Sequence, residues 1–289
     1  MAKPEDFCQF IIRRALPRPF NKHVEWWYKF HTADFTVVWF PKSGRTWLRA
    51  MLSHVFHQAF ELSNFQLLQF ANLHQLDKRI PRILFTHDGP YKVGPDKLSG
   101  NKNKYYHRRL VYLVRDPRDV VVSMYFHRTR RDRDLTVSLP EFVFGEQGGL
   151  STVLAFYNNW VKELAKIKCL LVLRYEDMRA DTPGKLSELF HFMGLQIGYT
   201  TIRSAVEQAD FARMKEIEDK GEYARGYLRP GDKNDQDSFK VRRGKVGGYV
   251  DYFSPDELAE INARIAEQLD PFYGYGRDPQ LIAALGEYR

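Results

Sequence analysis

Lys42, Ser43, Arg45 and Thr46 crowd around a single glycine, Gly44, in the run Phe40-Pro41-Lys42-Ser43-Gly44-Arg45-Thr46-Trp47-Leu48. Two cations and two hydroxyl donors packed this closely suit an anion. The apolar run Thr36-Val37-Val38-Trp39-Phe40 precedes the turn, and Trp47, Leu48, Met51, Leu52 and Val55 follow at helical spacing. The predicted unit is strand, tight turn and helix N-terminus, where unpaired N–H groups and the positive end of the helix dipole favour negative charge. It is not the phosphate loop of ATPases, because the lysine precedes the glycine, and no acidic residue ends the strand to suggest Mg²⁺. The plain alternative is a strand-to-helix turn that happens to be basic.

Arg115 stands eight positions before Ser123, a guanidinium able to grip a phosphate bidentately and a hydroxyl able to add one bond. A surface ion pair of Arg115 with Asp116 or Asp119 is the ordinary alternative. Arg242-Arg243-Gly244-Lys245, followed by Gly247-Gly248, is a third basic group that alone would read as a solvated charge run. His87 is the titratable candidate, since a neutral imidazole with a pKa of about 6.5 can take a proton from a hydroxyl nucleophile. It stands at a strand end before Asp88-Gly89-Pro90, whereas His54, His57, His74 and His191 read as helix-surface or core-edge residues.

The elements that must position these groups follow from apolar runs and their punctuation. Strands are predicted over Phe35–Phe40, Arg82–Thr86, Leu110–Val114 and Lys168–Leu173, the first buried on both faces because it does not alternate. Helices are predicted over Thr46–Phe56, Arg118–His127, Leu150–Ala165, Pro183–Met193 (closed by Gly194) and Pro255–Leu269 (entered through Ser254). Residues 1–34 read as an irregular lead-in, 61–82 as short helices, 91–109 as a polar surface segment and 128–134 as a solvated charge run. Residues 216–240 read as a long mobile loop. Alternating strands and helices predict a three-layer α/β sandwich around a mostly parallel sheet, with ligands at the carboxyl ends of its strands. Lys42, His87, Arg115 and Tyr175 would then stand at the ends of the first, second, third and fourth strands.

Composition narrows the partners. With 289 residues, 44% hydrophobic and 28% charged, the chain can build a large soluble core. A formal charge of +8 suggests anionic partners, but 36 acidic residues scattered among the basic ones argue against a nucleic-acid surface. The 21 Phe and 16 Tyr predict a Phe-rich core first and an aromatic ligand pocket second. The two cysteines, Cys8 and Cys169, provide neither a disulfide framework nor metal-ligand spacing, and Cys169 reads as a buried core thiol. No signal-peptide layout and no membrane-length apolar stretch is present, so a cytoplasmic protein is expected, with no metal and no membrane partner.

Six stretches in one order resemble the PAPS-dependent sulfotransferases of the cytosolic type. Phe40–Leu48 resembles the family's 5′-phosphosulfate loop, usually Tyr-Pro-Lys-Ser-Gly-Thr-Thr-Trp. Tyr112-Leu113-Val114-Arg115-Asp116-Pro117 through Ser123 is similar to its 3′-phosphate motif, and Thr86-His87 to its strand-end pair carrying the general base. Tyr175-Glu176-Asp177-Met178, Phe211-Ala212-Arg213-Met214 and Arg242-Arg243-Gly244 with Gly247 resemble its two adenine-side segments and its closing loop.

The resemblance runs from Phe40 to the last helix and implies a single sulfotransferase domain over 1–289. It implies 3′-phosphoadenosine 5′-phosphosulfate (PAPS) as donor and the 3′,5′-bisphosphate (PAP) as product, without a metal. Lys42, Ser43, Gly44, Arg45, Thr46 and Trp47 would hold the 5′ end, and Arg115, Ser123, Arg242, Arg243 and Gly244 the 3′-phosphate. Tyr175 and Phe211 would face the adenine, His87 would be the base and Lys42 would also stabilise the leaving oxygen. A Mg-ATP-dependent small-molecule kinase on a related fold and a non-catalytic, basic nucleic-acid-binding protein are the alternatives.

The chain departs from the family in four places. Arg45 stands for a threonine, Gly248-Tyr249 for Asp-Trp, Ala209 for an adenine-contacting threonine, and His87-Asp88-Gly89-Pro90 for His-Leu-Pro. The acceptor, a small molecule, glycan or peptide presenting a hydroxyl or amine, is left open, as is the oligomeric state. Its walls are expected from residues 61–108, 128–150 and 216–240.

Overall fold

In the computed structural model, which describes residues 18–221 and 228–276, four apolar runs pair as one parallel sheet. They are β1 (Phe35–Trp39), β2 (Ile83–Thr86), β3 (Arg109–Val114) and β4 (Cys169–Arg174), in the order β2-β1-β3-β4. Along β1, Phe35, Val37 and Trp39 enter one apolar cluster while Val38 and the following Phe40 enter another. A run without alternation is what a strand covered on both faces requires.

Helices cover the two faces. Against the first lie α1 (Arg18–Thr32), α4 (Pro117–Phe126), α5 (Leu139–Phe144), α6 (Leu150–Leu164) and α11 (Pro255–Gln268). Against the second lie α2 (Arg45–Ala59), α3 (Asn72–Leu76), α7 (Tyr175–Ala180), α8 (Thr182–Met193), α9 (Tyr199–Gln208) and α10 (Phe211–Lys220). The three-layer α/β arrangement is therefore present. The expected caps are also there: Ser254 closes a capping box with Glu257 at the start of α11, and Gly194 ends α8 at φ 73°.

The chain goes from β1 to β2 on one side and from β2 to β3 on the other, so the strand order reverses at β1. In open parallel sheets the crevice at such a reversal, beyond the carboxyl ends, is where ligands sit. Lys42 follows β1 and Arg115 follows β3, the two strands that flank it.

Several expectations are corrected. Residues 18–32 of the predicted lead-in form α1, because Pro19 falls in a first helical turn, where proline is tolerated; residues 1–17 and Cys8 lie outside the described residues. The expected loop 216–240 begins inside α10, and Leu228, Ser238 and Phe239 are buried; residues 222–227 lie outside the described residues. Of the short helices expected in 61–82, only α3 forms. Lys102 and Tyr105, within the expected surface segment, are buried. The charge run forms a π-helical segment, His127–Asp132, that turns Arg128 inward onto the Gln147 carbonyl. Cys169 is only half-buried, because it opens β4, an edge strand of the sheet.

Candidate functional site

The turn after β1 is built from two left-handed residues, Lys42 at φ 75° and Gly44 at φ 95°. Such a backbone costs a non-glycine residue of order 1 kcal/mol or more, and it aims the turn at the crevice. Gly44 has a second reason to lack a side chain: a Cβ there would stand 2.6 Å from Cδ2 of Tyr175. Ser43 is buried, and its Oγ donates to the Phe40 carbonyl at 2.7 Å. Its hydroxyl braces the turn from beneath and does not line the crevice.

Arg115 is clamped from several sides. Its Nη1 donates to the Lys42 carbonyl at 3.1 Å, its Nη2 to the Lys245 carbonyl at 3.3 Å, and its guanidinium lies 4.3 Å from the Tyr175 ring centroid. The ion pair with Asp119 considered from sequence is present at 3.4 Å. Asp119 does more than pair. Its carboxylate accepts from the backbone N–H of Gly247 and of Tyr249, at 3.0 and 3.1 Å. A second buried carboxylate, Glu218, accepts from the N–H of Lys240 and of Val241, at 2.7 and 2.8 Å. The basic segment Lys240–Lys245 is thus held at its start by Glu218 from α10 and just beyond its end by Asp119 from α4.

Trp47 Nε1 donates to the Ala209 carbonyl at 2.9 Å, so this position contributes its backbone. Phe211 lies against Gly244, where a Cβ would approach its ring to 2.4 Å and the backbone is left-handed at φ 61°. His87 is held by rings, its imidazole 4.4 Å from the Trp39 centroid and stacked on Tyr91 at 5.2 Å. Its Nδ1 is buried and makes no hydrogen bond, leaving Nε2 as the nitrogen available to a ligand. Burial and then the Arg45 guanidinium push its pKa down to about 4, so the imidazole is neutral at physiological pH.

These groups line one cavity of about 230 Å³: Lys42, Gly44, Arg45, Thr46, Trp47, His87, Arg115, Ser123, Tyr175, Phe211, Arg242, Arg243 and Gly244 all border it, and Ser43 does not. Residues 32–272 match the family profile described as a sulfotransferase domain. The chain belongs to the sulfotransferase family. Cytosolic sulfotransferase 17 of Arabidopsis thaliana is 29% identical over 281 residues, covering 85% of this chain and 77% of the relative. The amine sulfotransferase of Oryctolagus cuniculus is 23% identical over 262 residues, covering 85% and 83%. The crystal structure of a mouse sulfotransferase complexed with PAP shares the fold at a TM-score of 0.57 and 19% identity, covering 84% of this chain and 88% of that one.

The sulfotransferase cavity also contains residues that sequence reasoning missed. His127 lies one helical turn beyond Ser123 and Arg179 one turn beyond Tyr175, so helical spacing from a chosen residue was the available signal. Lys240 carried no such signal, whereas Asp119, four positions after Arg115, was read from sequence only as its ion-pair partner. The electrostatics are one-sided, with Asp119 the single carboxylate among the lining residues. Lys42 is pushed down to about 7, first by desolvation of its ammonium and then by the cations Arg131 and Lys240, despite opposition from Glu218. Lys240 falls to about 8, by burial and then by Arg131. Cations crowded enough to weaken one another make a site that a polyanion relieves.

Proposed function

We propose that this sulfotransferase takes its sulfuryl group from PAPS and passes it in line to a hydroxyl or amine of a small-molecule acceptor. The observation that supports this is the convergence of Lys42, His87 and Arg115, from three strand ends, on one cation-rich cavity. The lowered pKa values of Lys42 and Lys240, to both of which the Arg131 cation contributes, fit a ligand carrying several negative charges.

In this reading Arg115, Ser123, Arg242, Arg243 and Gly244 hold the 3′-phosphate. Lys42, Gly44, Arg45, Thr46 and Trp47 hold the 5′ end, with Ser43 shaping their turn, and Tyr175 and Phe211 flank the adenine. The acceptor atom bonds to sulfur as the bond from sulfur to the phosphate oxygen breaks. His87 takes the acceptor's proton, and Lys42 meets the charge growing on the departing oxygen. A cytosolic setting agrees with the names of several relatives, and no helix among the described residues is long and apolar enough to cross a membrane.

A thermal-shift titration tests the donor. At a hundredfold excess over Kd, PAP should stabilise the protein by about 2.7 kcal/mol, a rise of several degrees in Tm. AMP, which leaves Arg115, Ser123, Arg242 and Arg243 without their anion, should bind at least about tenfold more weakly. Equal stabilisation by AMP refutes the 3′-phosphate assignment, and stronger stabilisation by ATP with Mg²⁺ would favour a kinase.

Binding should also take up protons. Lys42 titrates near 7 in the free protein, and an anion beside it raises that value. The advantage is therefore complete below pH 7 and declines as pH rises through 7 toward the bound value. Calorimetry in buffers of different ionisation enthalpy should show net proton uptake at pH 7 to 8 and weaker PAP binding at pH 9. Uptake of no protons would place Lys42 outside the phosphate contacts.

A further inference from the structure

A second imidazole lines the cavity, that of His127, and neither the donor contacts nor the proton transfer uses it. One helical turn beyond Ser123, it opens the π-helical segment His127–Asp132. Residues five apart point away from each other on an α-helix of about 3.6 residues per turn, whereas the i→i+5 closure of a π-helix brings them to one side. The wider turn sets the Asp132 carboxylate 3.5 Å from His127 Nε2. Lys92 Nζ holds that carboxylate at 2.6 Å and takes Asp134 at 2.9 Å. Lys92 directly follows Tyr91, which stacks on His87, so one stretch of chain after β2 braces both imidazoles.

We propose that His127 is a specificity-determining residue that hydrogen-bonds a second hydroxyl of the acceptor, so that this sulfotransferase selects polyhydroxy acceptors over matched mono-alcohols. The inference rests on the donor reading above and deepens it on the acceptor side.

Three observations carry it. The Tyr91–Lys92 brace ties His127 to the proposed base, the side of the cavity where an acceptor must stand. The ring also has bonding capacity to spare: Nδ1 is buried with no hydrogen-bond partner among the described residues, and Nε2 stands at the outer limit of a hydrogen bond to Asp132. Finally, the ring is neutral. Burial, then the charge of Lys42, with Arg131 and Lys92, outweighs Asp132 and pushes its pKa down to about 3. A neutral imidazole brings no charge to a phosphate, but it carries one N–H and one lone pair. A hydroxyl answers either of them, whereas an ammonium only donates and an ether only accepts. An acceptor that closes over the ring without such a group leaves it unpaired, which is how polar pockets reject analogues lacking a hydroxyl.

The transfer itself is unchanged. The reacting hydroxyl bonds to sulfur, its proton passes to His87, and the bond from sulfur to the donor's phosphate oxygen breaks. His127 moves no proton.

The test measures kcat and KM, with saturating PAPS, for cyclohexanol and its 1,2-, 1,3- and 1,4-diols, which differ from it by one hydroxyl. For the wild type, kcat/KM of the best diol should exceed that of cyclohexanol at least about tenfold, beyond the roughly twofold that two equivalent hydroxyls give by statistics. His127→Phe should shrink the preference to that statistical factor by raising the diol's KM about tenfold with kcat held, the mark of binding shared by ground and transition states. His127→Gln, which keeps a donor and an acceptor, should retain part of the preference. PAP should stabilise His127→Phe as it does the wild type. No diol preference in the wild type, a preference that survives His127→Phe, an equal fall for cyclohexanol and the diols, or no turnover of any of the four would each overturn the proposal. A folded His127→Phe that no longer binds PAP would assign the ring to the donor and overturn it as well. Should His127→Phe not fold, His127→Leu takes its place, and the wild-type preference is read in either case. Failure of the donor reading shows separately, as absence of PAP stabilisation of the wild type.

Discussion

His87→Ala is expected to bind PAP as the wild type does and to lose turnover by roughly 10²- to 10⁴-fold, the usual worth of a positioned general base. The two halves of that expectation come from different parts of the site. In the proposed reading PAP is held by the turn at Lys42–Trp47 and by Arg115, Ser123, Arg242 and Arg243, and the contacts that fix Ser43 and Arg115 do not involve His87. The imidazole is held instead by Trp39 and Tyr91, and its removal leaves a hole in that aromatic wall. The loss should be smallest for acidic phenols, which arrive nearly ionised, and largest for weakly acidic hydroxyls. Single-turnover rates with preloaded PAPS, beside a thermal shift with PAP, measure both halves. Undiminished turnover would remove His87 as the base, and loss of PAP binding would show that the variant damages the fold.

Asp88→Ala should be the most destabilising single change near the site, by about 3–5 kcal/mol. Asp88 follows the base in a left-handed conformation, φ 57°, and its carboxylate is gripped from three sides. Lys102 Nζ lies 2.7 Å away, Lys104 Nζ 2.9 Å, and the Tyr105 hydroxyl donates at 2.7 Å. The side chains of Asp88 and Lys102 are both only 2% exposed. Removing the carboxylate strands a buried ammonium that retains only the Ser99 carbonyl and the face of Trp160. Asp88→Asn combined with Lys102→Met should recover much of the loss, because it leaves no buried charge unpaired. Urea denaturation of the single and double variants measures this directly. A single-variant cost below about 1 kcal/mol would mean that the pair stabilises nothing. Activity should fall with Asp88→Ala beyond the stability effect, since Asp88 fixes the backbone at which His87 leaves β2.

Much of the arrangement was legible beforehand because its causes are local. Val37 and Val38 announce a strand buried on both faces, Pro117 marks the first turn of α4, and Gly44 marks a turn no other residue fits. Parallel strands then bring Lys42, His87 and Arg115 to one edge without further information. The misreadings share a physical origin. Residues 216–240 look like solvated loop because they are polar and aperiodic, yet Glu218 and Ser238 are internal anchors satisfied by backbone groups. Lys102 looks exposed by type, and only the distant Asp88 makes its burial tolerable.

By itself, then, the sequence determined the strands, the helix starts, the order of the basic groups and the position of the imidazole. These depend on residue type and on spacings of a few positions. Tertiary structure alone decided that Asp119 would hold the N–H of Gly247, 128 residues away, and that Glu218 would hold the other end of the same segment. It also decided that Arg45 would lie on the same wall as His87. A carboxylate's hydrogen bond to a distant backbone, or two side chains sharing a ring, has no periodicity along the chain and exists only once the sheet has closed the distance.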